Sequence, residues 1–132
     1  MSLDLNDFKT DTTKENEGVE VPLGGGTWIR VASTNSEAYI KRLGELLEGN
    51  QLIMDMGGDA ADELAKEALY KAASEHILKD WNMTVDGEPV EYTPEVGVAA
   101  FNDAPRFYKM VKEHADGLSL FAIEREEKET GN

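Results

Sequence analysis

The sequence predicts a mainly α fold: a single domain of about four helices with one or two small β-hairpins. Three observations carry that expectation. Apolar residues recur at helical spacing in the stretches that follow Thr34, Asp59 and Pro105. Two β-rich runs between residues 19 and 32 are split by three consecutive glycines. The chain has 132 residues, 40% of them hydrophobic, enough to bury one core without staples.

Residues 1–17 are polar and charged, with Leu3, Leu5 and Phe8 scattered among them. This composition reads as a flexible N-terminal tail ahead of a domain spanning residues 18–132. The domain opens with Val19-Glu20-Val21-Pro22-Leu23, then Gly24-Gly25-Gly26, then Thr27-Trp28-Ile29-Arg30-Val31-Ala32. Glycine supplies the positive φ that tight turns need, so the pattern predicts a hairpin. Pro22 cannot donate to a ladder, which makes its strand an edge.

Thr34 and Glu37 have capping-box spacing, and Tyr39, Ile40, Leu43, Leu46 and Leu47 follow on one helical face. A helix over 36–48 is expected, weakened by Gly44 and stopped at Gly49. Residues 51–58 read as a linker carrying the apolar patch Leu52-Ile53-Met54. Asp59 is the expected cap of a second helix, with Asp62 and Glu63 favourable in its first turn and the end near Asp80. Asp86-Gly87 marks a second small hairpin between Trp81 and Tyr92. Thr93-Pro94 starts a short third helix ending near Phe101-Asn102. The last helix opens at Asp103-Ala104-Pro105, with Phe107, Val111, His114, Leu118 and Phe121 forming an apolar seam interrupted by Gly117. From Glu124 onward the composition reads as a solvated, fraying end.

The formal net charge is -14, from 27 acidic and 13 basic residues. Such a surface repels nucleic acid and anionic lipid, both of which are bound through Lys and Arg. It attracts basic protein surfaces. With no cysteine, disulfides and thiolate metal sites are excluded. No apolar run has the length of a membrane span, and the first residues lack the basic and apolar regions of a signal peptide. The expected location is the cytoplasm.

Little in the sequence suggests catalysis, and no enzyme activity or cofactor is expected. His76 and His114 fall near apolar helix faces and share no metal-binding spacing. Serines 33, 36, 74 and 119 sit in no nucleophile elbow. The triple glycine lacks the ending of a phosphate loop and precedes a strand. Asp55, Asp59, Asp62 and Glu63 cluster around Gly57-Gly58, but their spacing is not that of a calcium loop, and helix capping explains three of them without a metal. Trp28, Trp81, Phe107, Tyr108, Met110 and Phe121 are the candidate partner-binding residues. Aromatic and Met side chains are enriched at interface centres, and equally they fill cores.

The order of these signals resembles the tail assembly chaperones of long-tailed bacteriophages. The likeness runs from the glycine turn and Thr27-Trp28-Ile29-Arg30-Val31-Ala32 through Asn35 and Tyr39 to Ile77-Leu78-Lys79-Asp80-Trp81. It continues with Asp86-Gly87-Glu88-Pro89-Val90-Glu91-Tyr92-Thr93-Pro94-Glu95, then Pro105-Arg106-Phe107, and a Glu-rich end closing on Gly131-Asn132. The resemblance implies a protein that binds the tape measure protein, keeps it soluble and helps recruit tail tube subunits. It further implies weak homo-oligomerisation, a longer frameshifted product, residence in the bacterial host cytoplasm and absence from the mature virion. A competing expectation from charge alone is an acidic DNA-mimic inhibitor of a nucleic-acid-binding protein.

Overall fold

A computed structural model describes residues 4–123, so the charged end beginning at Glu124 lies outside the described residues. Helices of ten residues or more are α2 (Glu37–Leu47), α4 (Gly58–His76), α5 (Pro94–Asp103) and α6 (Pro105–Asp116); α1 (Thr12–Glu17) and α3 (Gln51–Met56) are short segments. Strands β1 (Val19–Gly24), β2 (Thr27–Val31) and β3 (Leu78–Trp81) form an antiparallel sheet in that order, and β4 (Thr84–Val85) pairs with β5 (Glu88–Pro89). The fold is mainly α with two small antiparallel sheets, as the periodicity and turn signals predict.

The first hairpin forms where the glycines place it. Val21 lies opposite Ile29, and Pro22 opposite Trp28 on the edge strand. Alternation along β2 sends Ile29 and Val31 inward, both with 0% exposure, and leaves Trp28 and Arg30 half-buried. The third strand departs from expectation. The helix expected to reach Asp80 ends at His76, and Ile77 and Leu78 turn fully into the core. Ile29 then pairs with Trp81 and Arg30 with Asp80. Strand pairing to β2 outweighs the helical pattern because it buries two large apolar side chains and satisfies the β2 ladder.

Helix α4 is the central element, flanked by α2, α3 and α5, while α6 packs on α5 and β2. Arg42 of α2 grips Glu75 of α4 through two hydrogen bonds, Nε at 2.8 Å and Nη2 at 3.4 Å. Gly97 lets α5 approach α4 closely: a Cβ there would stand 2.6 Å from the Tyr92 hydroxyl and 3.0 Å from the Ser74 Cβ. Thr93 caps α5, accepting from the Val96 N–H at 3.2 Å, with Pro94 in the first turn.

Other local expectations resolve differently. Thr34 does not cap α2; its hydroxyl donates to Asp116 at 2.7 Å, tying the loop before α2 to the end of α6. The N-cap is Ser36, whose buried hydroxyl has no hydrogen-bond partner among the described residues. Asp59 sits inside the first turn of α4, which begins at Gly58. There it complements the helix dipole without capping. Helix α6 stops at Asp116, and Leu118 is exposed outside it; Phe121 reaches the interior from a separate 3-10 turn, Ser119–Phe121.

The segment read as a tail carries structure within its described residues. Asp11 caps α1 by accepting from Thr13 and Lys14. Glu15 is buried, and its carboxylate accepts from the Ser33 hydroxyl at 3.5 Å and the Asn35 amide at 3.3 Å. The Asp11 N–H donates to the Phe121 carbonyl at 2.8 Å. A buried carboxylate needs such partners, and the two β2–α2 loop residues supply them.

Candidate functional site

The candidate residues divide between an aromatic core and the surface. Tyr70, Trp81, Tyr92, Phe101, Phe107 and Tyr108 form one connected aromatic cluster. Tyr70 and Tyr108 have ring centroids 4.6 Å apart, Phe101 and Tyr108 5.1 Å, Trp81 and Tyr92 5.1 Å, and Trp81 and Phe107 5.9 Å. Phe101, fully buried, sits among Tyr70, Phe107 and Tyr108. Tilted and edge-on pairs of this kind add stability beyond their buried area, about 0.5–1.5 kcal/mol each.

Of the six residues singled out in the sequence, Trp81 and Phe121 are buried, at 7% and 1% exposure. Phe107, Tyr108 and Met110 are half-buried and pack against the core from α6. Trp28, also half-buried, sits on β2, where its backbone N–H donates to the Asn82 side chain at 2.7 Å. The structure therefore brings Trp81, Phe107 and Tyr108 together, while Trp28 and Phe121 lie outside that cluster.

Two phenols packed against the core resist ionisation. Burial first, then Glu75 and Glu95, raise the Tyr92 phenol well above its ordinary value. Its hydroxyl donates to the Ser74 carbonyl. Burial, then Tyr39, Tyr70 and Asp116, raise Tyr108 in the same direction. The Tyr108 hydroxyl has no hydrogen-bond partner among the described residues. His76 is lowered, chiefly by burial and then by Lys79. A shallow depression between α4 and α5 is lined by Lys71, Ser74, Glu75, Pro94, Glu95 and Val98. The Ser74 hydroxyl donates to the Lys71 carbonyl at 2.9 Å.

Asp55, Asp59, Asp62 and Glu63 are exposed, and among the described residues no three His, Asp or Glu side chains form a group that could hold a metal ion. Asp55 accepts from the Gln51 amide at 2.9 Å, and Glu63 pairs with Lys66 at 3.3 Å. Among the described residues no helix is long and apolar enough to cross a membrane.

The surface feature that the sequence presents only as a linker is α3. It is a helix, not a loop, enclosed by Gly49 and by Gly57, which carries φ +70°. Leu52 is 73% exposed, Met56 77% and Ile53 40%, while Met54 is the half-buried residue of the four. The Leu52-Ile53-Met54 run is the available signal. What it lacks is length, since a six-residue helix gives too short a window for helical periodicity.

A family model described as YdaY prophage protein matches residues 34–132. No curated protein and no solved structure matches the chain.

Proposed function

The chain belongs to the YdaY prophage protein family, and from that premise we propose that it is a non-catalytic phage assembly chaperone. Its client is the tape measure protein, a long helical chain, which it holds in solution while tail tube subunits are recruited. The observation that carries this reading is large apolar side chains left open on a strongly anionic body. Leu52 and Met56 are each more than 70% exposed on a chain of net charge -14. Exposed apolar helix surface suits an amphipathic client helix, and the surplus negative charge keeps the coated complex dispersed. Support also comes from the prophage family and from the order of sequence signals shared with tail assembly chaperones.

In this reading the protein acts in the cytoplasm of the bacterial host, is absent from the finished virion, self-associates weakly and needs no cofactor. The test is co-expression with the tape measure protein encoded in the same prophage. A marked rise in the client's soluble fraction, with the two proteins co-purifying, is expected. Equal client aggregation with and without this chain overturns the reading.

A further inference from the structure

We propose that the exposed face of α3 is the docking surface, and that its occupant is a positively charged amphipathic helix of the partner protein. This deepens the chaperone reading and rests on its premise that the chain binds proteins. Leu52 and Met56 are one helical turn apart, with Ile53 beside them, so the three share one side of the six-residue helix. Met54 is turned partly inward, and α3 packs on α4, so the opposite side is already occupied. Scattered single apolar residues on a surface need no explanation, but adjoining ones of this size do. Methionine at such a face adapts to varied partner side chains.

Charge selects the occupant. From Gly44 to Ala65 the sequence contains no Lys or Arg, yet it holds Glu45, Glu48, Asp55, Asp59, Asp62 and Glu63. The basic residues at either end of this stretch are engaged: Arg42 with Glu75 and Glu45, and Lys66 with Glu63. The apolar face is thus bordered along the chain by carboxylates in excess of cations. A second copy of this chain bound face to face would bring like charges together, which opposes that pairing. A helix with an apolar stripe flanked by Lys or Arg matches both features at once.

The test uses the full chain and two synthetic amphipathic helical peptides, one built from Leu and Lys, the other from Leu and Glu, with binding read by fluorescence anisotropy at low and high salt. The Leu/Lys peptide should bind and the Leu/Glu peptide should not. Leu52→Ser with Met56→Ser should weaken binding at least tenfold, Asp55→Asn with Asp59→Asn should flatten the salt dependence, and Val85→Ser, an exposed apolar position on β4, should change nothing. Circular dichroism of each variant confirms that the fold is retained. Absent binding, equal binding of both peptides, or indifference to the α3 substitutions overturns the inference. So does a dimer of the unaltered chain, seen by sedimentation, that the Leu52→Ser and Met56→Ser pair abolishes. If the altered chain still raises the solubility of the tape measure protein as well as the unaltered one, this inference fails and the chaperone reading stands. If neither version solubilises that client, the chaperone reading fails, while the peptide titration still decides the surface.

Discussion

The indole N–H of Trp81 donates to the Val90 carbonyl at 2.7 Å, closing the segment that holds β4 and β5 against the main sheet. One side chain therefore does three things: it ends β3, packs edge-on against Tyr92 and tilted against Phe107, and satisfies a backbone acceptor. Trp81→Phe keeps most of the apolar contact and removes the donor, with an expected loss of about 1–3 kcal/mol. Trp81→Ala adds a cavity, for about 3–5 kcal/mol in all. Urea denaturation of the two variants should rank them in that order.

Two glycines in helices should respond oppositely to alanine. At Gly97 the added Cβ meets the Tyr92 hydroxyl and Ser74, and overpacking of this kind costs about 1–3 kcal/mol. That exceeds the roughly 1 kcal/mol gained in helix propensity. Gly44 lies inside α2, and among the described residues nothing stands within 4 Å of where its Cβ would lie. Gly44→Ala should stabilise the chain by about 0.5–1 kcal/mol. Thermal denaturation should move down for the first variant and up for the second.

Much of the scaffold around these positions is legible in the sequence, and the reason is locality. The glycine turn between Leu23 and Thr27, the Thr93-Pro94 helix start and the periodicity of Tyr39, Leu43 and Leu46 are each complete within a few residues. What escapes is non-local. Ile77, Leu78 and Trp81 leave the helical pattern because β2, far earlier in the chain, offers an unpaired edge to β3. Thr34 has capping-box spacing, yet it bonds to Asp116, which no local pattern reveals. Residues 12–17 carry a local cap in Asp11, but what anchors α1 to the domain is the bonding of Glu15 to Ser33 and Asn35, which no local pattern shows. The candidate site divides in the same way. The aromatic residues can be named from the sequence, but whether Trp81 fills a core or faces a partner depends on which elements cover it. The exposed side of α3 is visible there only as an apolar run.

The attachment of α1 gives a further expectation. Glu15→Ala removes the acceptor for the Ser33 hydroxyl and the Asn35 amide, which should cost about 1–3 kcal/mol. The effect should be concentrated at the chain's start. Hydrogen exchange at the Asp11 amide, which is bonded to the Phe121 carbonyl, should accelerate more than exchange in α4.

Alkaline pH should destabilise the fold through the buried phenols. Tyr92 and Tyr108 are raised above the ordinary value of 10.0, chiefly by burial. The folded state then holds these protons more tightly than the unfolded state. Their contribution is complete below the ordinary value and is lost as the pH climbs toward the folded values. Tyrosinate absorbance of Tyr92 and Tyr108 should appear together with loss of helical signal. Tyr92→Phe removes one such group, so the variant's stability should fall less steeply with rising pH in that alkaline range.

Light scattering during dilution of the denatured tape measure protein into buffer, with and without this chain, tests the protective role most directly. Suppression of scattering that rises with chain concentration and is lost with Leu52→Ser plus Met56→Ser is the predicted result. Scattering that is unchanged at every ratio of chain to client would contradict it.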